Sequence, residues 1–197
     1  MAGDAASIAS LRAHYSAPSL ELDIPKFVDD FKKESDRALI VVMGSLLEDN
    51  LALAIKTKLR PMDAKEEKAL RLYNHDGPIG TFSAKINMAY VLQIIEGATR
   101  DDLHDLREMR NACAHSMRPI DFMTPQLFEV QKRLFMPSRD TLWRSPTNES
   151  SHEDRRNLFI LKALTLLITI SHGSKEEADA FVTGYAQSIG DLGLVKE

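Results

Sequence analysis

One cysteine, Cys113, and one tryptophan, Trp143, stand in a chain of 197 residues. A lone thiol cannot build a disulfide framework within the chain, and this fits a reducing cytosol. A basic balance is missing as well: 25 Lys and Arg face 29 Asp and Glu, for a formal net charge of −4. Proteins that grip a phosphate backbone unaided usually carry a basic field, so composition counts against direct DNA binding. Long apolar runs are scarce. The longest, Leu158 to Ile170, contains Lys162 and is too short to span a bilayer, so no membrane attachment is expected. Met1 to Pro18 is rich in Ala and Ser and lacks the continuous apolar core of a signal peptide. It reads as a flexible arm on a cytoplasmic protein.

No alternating strand pattern, internal repeat or heptad series is present. Hydrophobic residues make up 44% of the chain, enough for one ample core. Helical periodicity recurs instead. From Pro25 a helical stretch runs, with a break, to Leu59, placing Leu39, Met43, Leu46, Leu53 and Ala54 on one face before Pro61 closes it. Asp63 is placed to cap a short helix through Tyr73. Gly77-Pro78-Ile79-Gly80 is turn chemistry and no phosphate loop, since it lacks the Lys-Ser/Thr ending and a preceding strand. Phe82 to Ile95 is apolar almost all round, interrupted by Lys85, Asn87 and Gln93, and is expected to be central. Thr99 with Asp102 resembles a capping box for the next helix, which ends near His115 ahead of Pro119. Thr124-Pro125 opens a helix to about Phe135, and Ser174 with Glu177 caps a last one whose stripe is Ala178, Phe181, Val182, Tyr185 and Ile189. The expected fold class is all-α, a multi-helix bundle. Its organisation is an arm over 1–18 and a single helical domain over 19–197, comprising a core at 25–135, a long polar excursion at 136–156 and C-terminal helices at 157–189.

The helix before Pro119 holds the chemistry. At 100° per residue Leu103, Leu106, Met109, Cys113 and Ala114 form an apolar face with Arg110 inside it, while Asn111 and His115 lie at its edge. A guanidinium stays charged, so it enters such a face only beside a carboxylate, polar partners or a ligand. Two accounts follow. In the structural one, Arg110 pairs with Asp36 or hydrogen-bonds Asn50, and His115 sits favourably at the helix C-terminus. In the other, the cluster binds a ligand or partner or cleaves RNA: His115 as base or acid, Arg110 holding phosphate, Asn111 orienting either. Positions five apart point about 140° from each other, so Arg110 and His115 converge only by a helix end, a long reach or a second subunit.

Arg110 and His115, four residues intervening and Asn111 directly after the Arg, resemble the signature of the HEPN superfamily of helical bundles. A longer run is similar to the mannitol operon repressor (MtlR) family: Gly77-Pro78-Ile79-Gly80-Thr81-Phe82-Ser83-Ala84-Lys85-Ile86, then Asp102-Leu103-His104, then Arg110-Asn111-Ala112-Cys113-Ala114-His115, with Glu34-Ser35-Asp36-Arg37-Ala38 upstream. The likeness spans roughly Phe27 to Asp121, about half of the chain. It implies a helical fold within or close to the HEPN superfamily and a role in transcriptional control through a protein partner. In nuclease members it would make Arg110 and His115 the RNA-cleaving residues at a homodimer interface. A homo-oligomer is expected under either reading, with RNA the partner only under the nuclease one. No cofactor is expected.

Other candidates carry less. His104, Glu108, Asn111 and His115 share one helical face at spacings of four, three and four, yet no second His or Cys cluster completes a metal site, and a solvated polar or partner-binding face is expected. Cys113 reads as an inert core thiol. Trp143, flanked by Arg139 and Arg144, suits either base stacking or pinning a loop. The nearly all-apolar helix from Leu158 to Ile170 is core, or else a dimer or partner surface.

Overall fold

In the computed structural model the described residues are 30–31, 33–74, 76–135, 145–172, 180 and 183–184. The chain divides into two compact units, 1–33 and 34–197. Of the first unit, only Asp30, Phe31 and Lys33 are among the described residues. The expected arm, Trp143 with its flanking arginines, and the Ser174–Glu177 cap lie outside them. The second unit is all-helical, with no strand among the described residues: α1 (Asp36–Lys58), α2 (Ala64–Leu70), α3 (Phe82–Val91), α4 (Gly97–His115), α5 (Pro125–Leu134) and α6 (His152–His172).

Local chemistry starts most of these helices. Ser35 Oγ, Asp63 Oδ1 and Thr81 Oγ1 accept the amides of Ala38, Glu66 and Ala84 at 3.2, 2.8 and 3.2 Å. Each satisfies an orphan donor of a first turn. Pro125 opens α5, where its missing N–H costs nothing. Ser151 and Asp154 form a reciprocal capping box at the head of α6: Asp154 N donates to Ser151 Oγ at 3.1 Å, and Ser151 N to Asp154 Oδ2 at 2.9 Å. Helix therefore begins at His152, inside the expected polar excursion. Thr99 and Asp102, expected as a capping box, are both buried within α4, which starts at Gly97 behind Glu96.

α1 is the hub, packing against α3, α4 and α6; α4 also packs on α3 and α5. Leu39, Ile40, Met43, Leu47, Leu51 and Ile55 of α1 are wholly buried. That register leaves Leu53 on the outside, where the expected face had placed it inside. α3 is less central than its composition suggests. It stops at Val91, which is 72% exposed, and Gln93 then turns the chain with φ 57°. By length and hydropathy α1, rather than Leu158 to Ile170, would suffice to cross a membrane. It carries Asp36 and Glu48, and both are ion-paired within the bundle.

α6 is buried on all sides from Leu158 to Leu167, as a core helix rather than an open partner surface. Its three basic side chains near that stretch are buried too. Lys162 Nζ meets Asp102 of α4 at 2.8 Å, the two side chains 1% and 3% exposed. Arg156 meets Asp36 Oδ1 and donates to Glu34 O at 2.6 Å. The second Asp36 oxygen lies 2.6 Å from His152 Nε2 and accepts the Phe122 amide at 3.0 Å. Arg155 lies over the Phe128 ring, 3.7 Å from its centroid, and donates to Phe122 O and Thr147 O.

Removing Asp102 takes from the buried Lys162 the carboxylate it meets at 2.8 Å. Asp102→Ala should cost about 3–5 kcal/mol in urea unfolding, and adding Lys162→Met should restore most of it. A single-variant loss below about 1 kcal/mol would contradict this placement.

Candidate functional site

Gly44 decides how Arg110 lies. It sits on the α1 face turned to α4, where an added Cβ would fall 2.7 Å from Arg110 Cγ and 2.9 Å from Arg110 Cβ. The arginine stem therefore crosses α1 at the one position without a side chain, and its guanidinium arrives one turn further on, at Glu48. Arg110 NH2 donates to Glu48 Oε2 at 3.2 Å, and Arg110 NH1 to Asn111 Oδ1 at 3.2 Å. The other Glu48 oxygen takes Lys85 Nζ at 2.6 Å, and the same ammonium donates to Gly80 O at 3.2 Å. One carboxylate on α1 thus holds cations from α3 and α4. Exposure falls inward, from 29% for the Arg110 side chain to 17% for Glu48 and 9% for Lys85.

The Gly-Pro turn before α3 supplies the remaining acceptor. Gly77 N donates to Asn74 O at 2.7 Å and Gly80 N to Gly77 O at 3.1 Å. A Cβ on Gly77 would meet Arg71 O at 2.0 Å, so only glycine fits this close approach. The turn ends with the Gly80 carbonyl facing Lys85.

The expected partners of Arg110 are thereby corrected. Asp36 lies twelve residues up α1, about 18 Å along the axis, and is engaged by Arg156 and His152. Asn50 Nδ2 bonds its own helix at Leu46 O, 2.8 Å away. Arg110 occupies the flank of the buried arc rather than its middle, since Ala114 beyond it is exposed. Glu48 and Lys85 are the residues that sequence reasoning missed. Lys85 stood out as a charge interrupting an apolar helix, and such a charge calls for a carboxylate nearby.

His115 does not join this cluster. It is exposed in the last turn of α4, with no hydrogen bond or ion pair among the described residues. His104 Nε2 lies 3.2 Å from Asn87 Oδ1 on α3, and burial, followed by the charges of Arg107 and Arg100, pushes its pKa down. Glu108 is taken by Arg133 of α5 at 2.9 Å, together with Asp105. Of the expected site residues the structure brings together Arg110 and Asn111, while His104, Glu108 and His115 face other neighbours or solvent. Among the described residues no three His, Cys, Asp or Glu gather as metal ligands. Cys113 is buried and free, and desolvation raises its thiol pKa to about 11.

No protein-family model matches the chain, and no characterised protein matches it at a significant level. The likeness to the mannitol operon repressor family rests on the residues quoted for it.

Gly44→Ala should cost about 1–3 kcal/mol by pushing Arg110 off α1, and it should cost much less in an Arg110→Ala background, as read in a four-variant unfolding cycle. Equal losses in both backgrounds would show that Arg110 does not lie there. Cys113 should resist thiol reagents at pH 8 until denaturant is added. Because its folded pKa is raised, its contribution to stability is complete below the unfolded value of 9.0 and is lost as pH climbs toward about 11. A Cys113→Ala variant should lack that alkaline decline.

Proposed function

We propose that the protein is a cytoplasmic, homo-oligomeric regulatory interaction module, similar to the mannitol operon repressor family and acting mainly through protein contacts. One observation carries this reading: the Arg110 guanidinium is occupied by Glu48, and His115 stands apart from it with no partner among the described residues. Phosphate chemistry at this pair would need a free cation beside the imidazole. Within one chain the cation is instead spent on a carboxylate that also holds Lys85. The acidic balance of the chain, −4, weighs the same way against unaided DNA reading.

The second reading, a metal-independent HEPN-type ribonuclease, needs a second subunit to complete Arg110 and His115. Its support is the resemblance and the exposure of His115.

Purified protein incubated with RNA in a chelating buffer separates the two. The interaction reading predicts no cleavage above background, and no shift of operator DNA even at low salt, where phosphate contacts are strongest. Cleavage abolished by His115→Ala in a variant of unchanged thermal stability would replace it with the nuclease reading.

A further inference from the structure

We infer that the half-exposed stripe of α4 from Arg107 through Asn111, with the exposed Met117-Arg118 turn and Arg37 of α1, is a docking surface for an acidic protein segment carrying an apolar side chain. The inference rests on the interaction reading above and names the chemistry of the partner.

It starts from an imbalance in how arginines are spent. Among the described residues, Arg60, Arg71, Arg100, Arg110, Arg133 and Arg156 each hold a carboxylate. Arg155 is satisfied by backbone carbonyls and the Phe128 ring. Three arginines remain without a carboxylate: Arg37, Arg107 and Arg118. Arg37 and Arg107 share the stripe of α4 that ends at Ala114, and Arg118 lies in the turn that follows it. Arg107, Asn111 and Ala114 are three and four residues apart and form one helical stripe, Arg118 follows three residues after His115, and Arg37 NH2 reaches Ala114 O at 3.4 Å. Arg107 to Ala114 spans about 10 Å of helix axis, so the cations are strung along the stripe rather than stacked in one spot.

The rest of α4 shows that this side is distinct. Its buried acidic residues turn to other helices, Asp102 to Lys162 and Asp105 to Arg133, and the same Arg133 holds Glu108, which lies beside Asn111. Among the described residues no carboxylate pairs with Arg107, whose Nε is shielded from solvent and has no acceptor. Burial, and after it the charges of Arg107 and Arg100, lower the pKa of His104 three residues before it. The turn that follows is fixed rather than loose: Ser116 Oγ donates to Arg118 O at 2.9 Å and accepts the Arg118 amide at 3.1 Å. That turn holds Met117 with its side chain 100% exposed beside the cations.

The occupant follows from charge and polarity together. Separated guanidiniums are complemented by carboxylates at helical or extended spacing, and a wholly exposed methionine offers a soft contact for an apolar side chain. A nucleic acid would meet the same three cations, but also a bare Met117 where it needs polar contacts.

The test is fluorescence anisotropy with a labelled glutamate-rich peptide whose leucines lie one helical turn apart, titrated with the full chain. The peptide should bind saturably, with affinity falling as salt rises. Arg107→Ala combined with Arg118→Ala should weaken it about tenfold. Lys65→Ala combined with Lys68→Ala, two unpaired exposed lysines on α2, should change it by less than about twofold. Thermal melts of both double variants should match the parent. The inference is overturned by absence of saturable peptide binding, by equal loss in the lysine control, or by tighter binding of a single-stranded oligonucleotide of the same charge. Loss of peptide binding without any RNA cleavage would remove this inference alone, whereas RNA cleavage would remove the functional reading beneath it.

Discussion

Glu48 carries two obligations at once. Lys85 is nine-tenths buried, where a cation needs a carboxylate beside it; Arg110 cannot shed its charge at all. Both cations converge on the two oxygens of one side chain, so α1, α3 and α4 are fixed in rotation and in register by the same group. Gly44 makes this geometry accessible by letting the Arg110 stem lie flat on α1. A side chain there would push α4 outward and lengthen the path to Glu48.

The same solution recurs on the far side of the hub. α6 is apolar nearly all round, and dispersion alone gives such a helix many equivalent rotations. Lys162 must reach Asp102, and Arg156 must reach Asp36, which selects one of them. Buried pairs of this kind contribute little net stability, because desolvation offsets most of the attraction. Their effect is on which arrangement is tolerated, since every misrotation strands a charge. The bundle is thus cemented by its apolar core and indexed by three carboxylates, Asp36, Glu48 and Asp102.

Much of this was legible in the residues. Periodicity and caps gave the all-α class and the starts of α2 and α5, because these signals are local. That Arg110 needs a carboxylate was legible, since 100° per residue puts it within an apolar face, although the structure places it at the flank of the buried arc. Which carboxylate was not legible. Asp36 and Glu48 both lie on α1, and only the crossing point at Gly44 distinguishes them, a feature of two helices rather than one. Thr99 with Asp102 mimicked a capping box because a buried ion-pair residue and a capping residue share the same chemistry. Ser151 with Asp154 carried the true cap of α6, hidden by reading the surrounding polar residues as one long excursion. Arg155 and Arg156 are both buried, and sequence alone gives no sign that Arg156 meets a carboxylate 120 residues away.

These placements shape what an arginine beside an asparagine can do here. A cation already balanced by Glu48 is an architectural part, and the unbalanced arginines along α4 are where a partner finds charge. The most direct test of the architectural claim is a double-mutant cycle of Glu48→Gln and Arg110→Met in urea. A coupling energy of about 1–3 kcal/mol, with Arg110→Met destabilising on its own, is the predicted result. Additive effects near zero, in variants as stable as the parent, would contradict it.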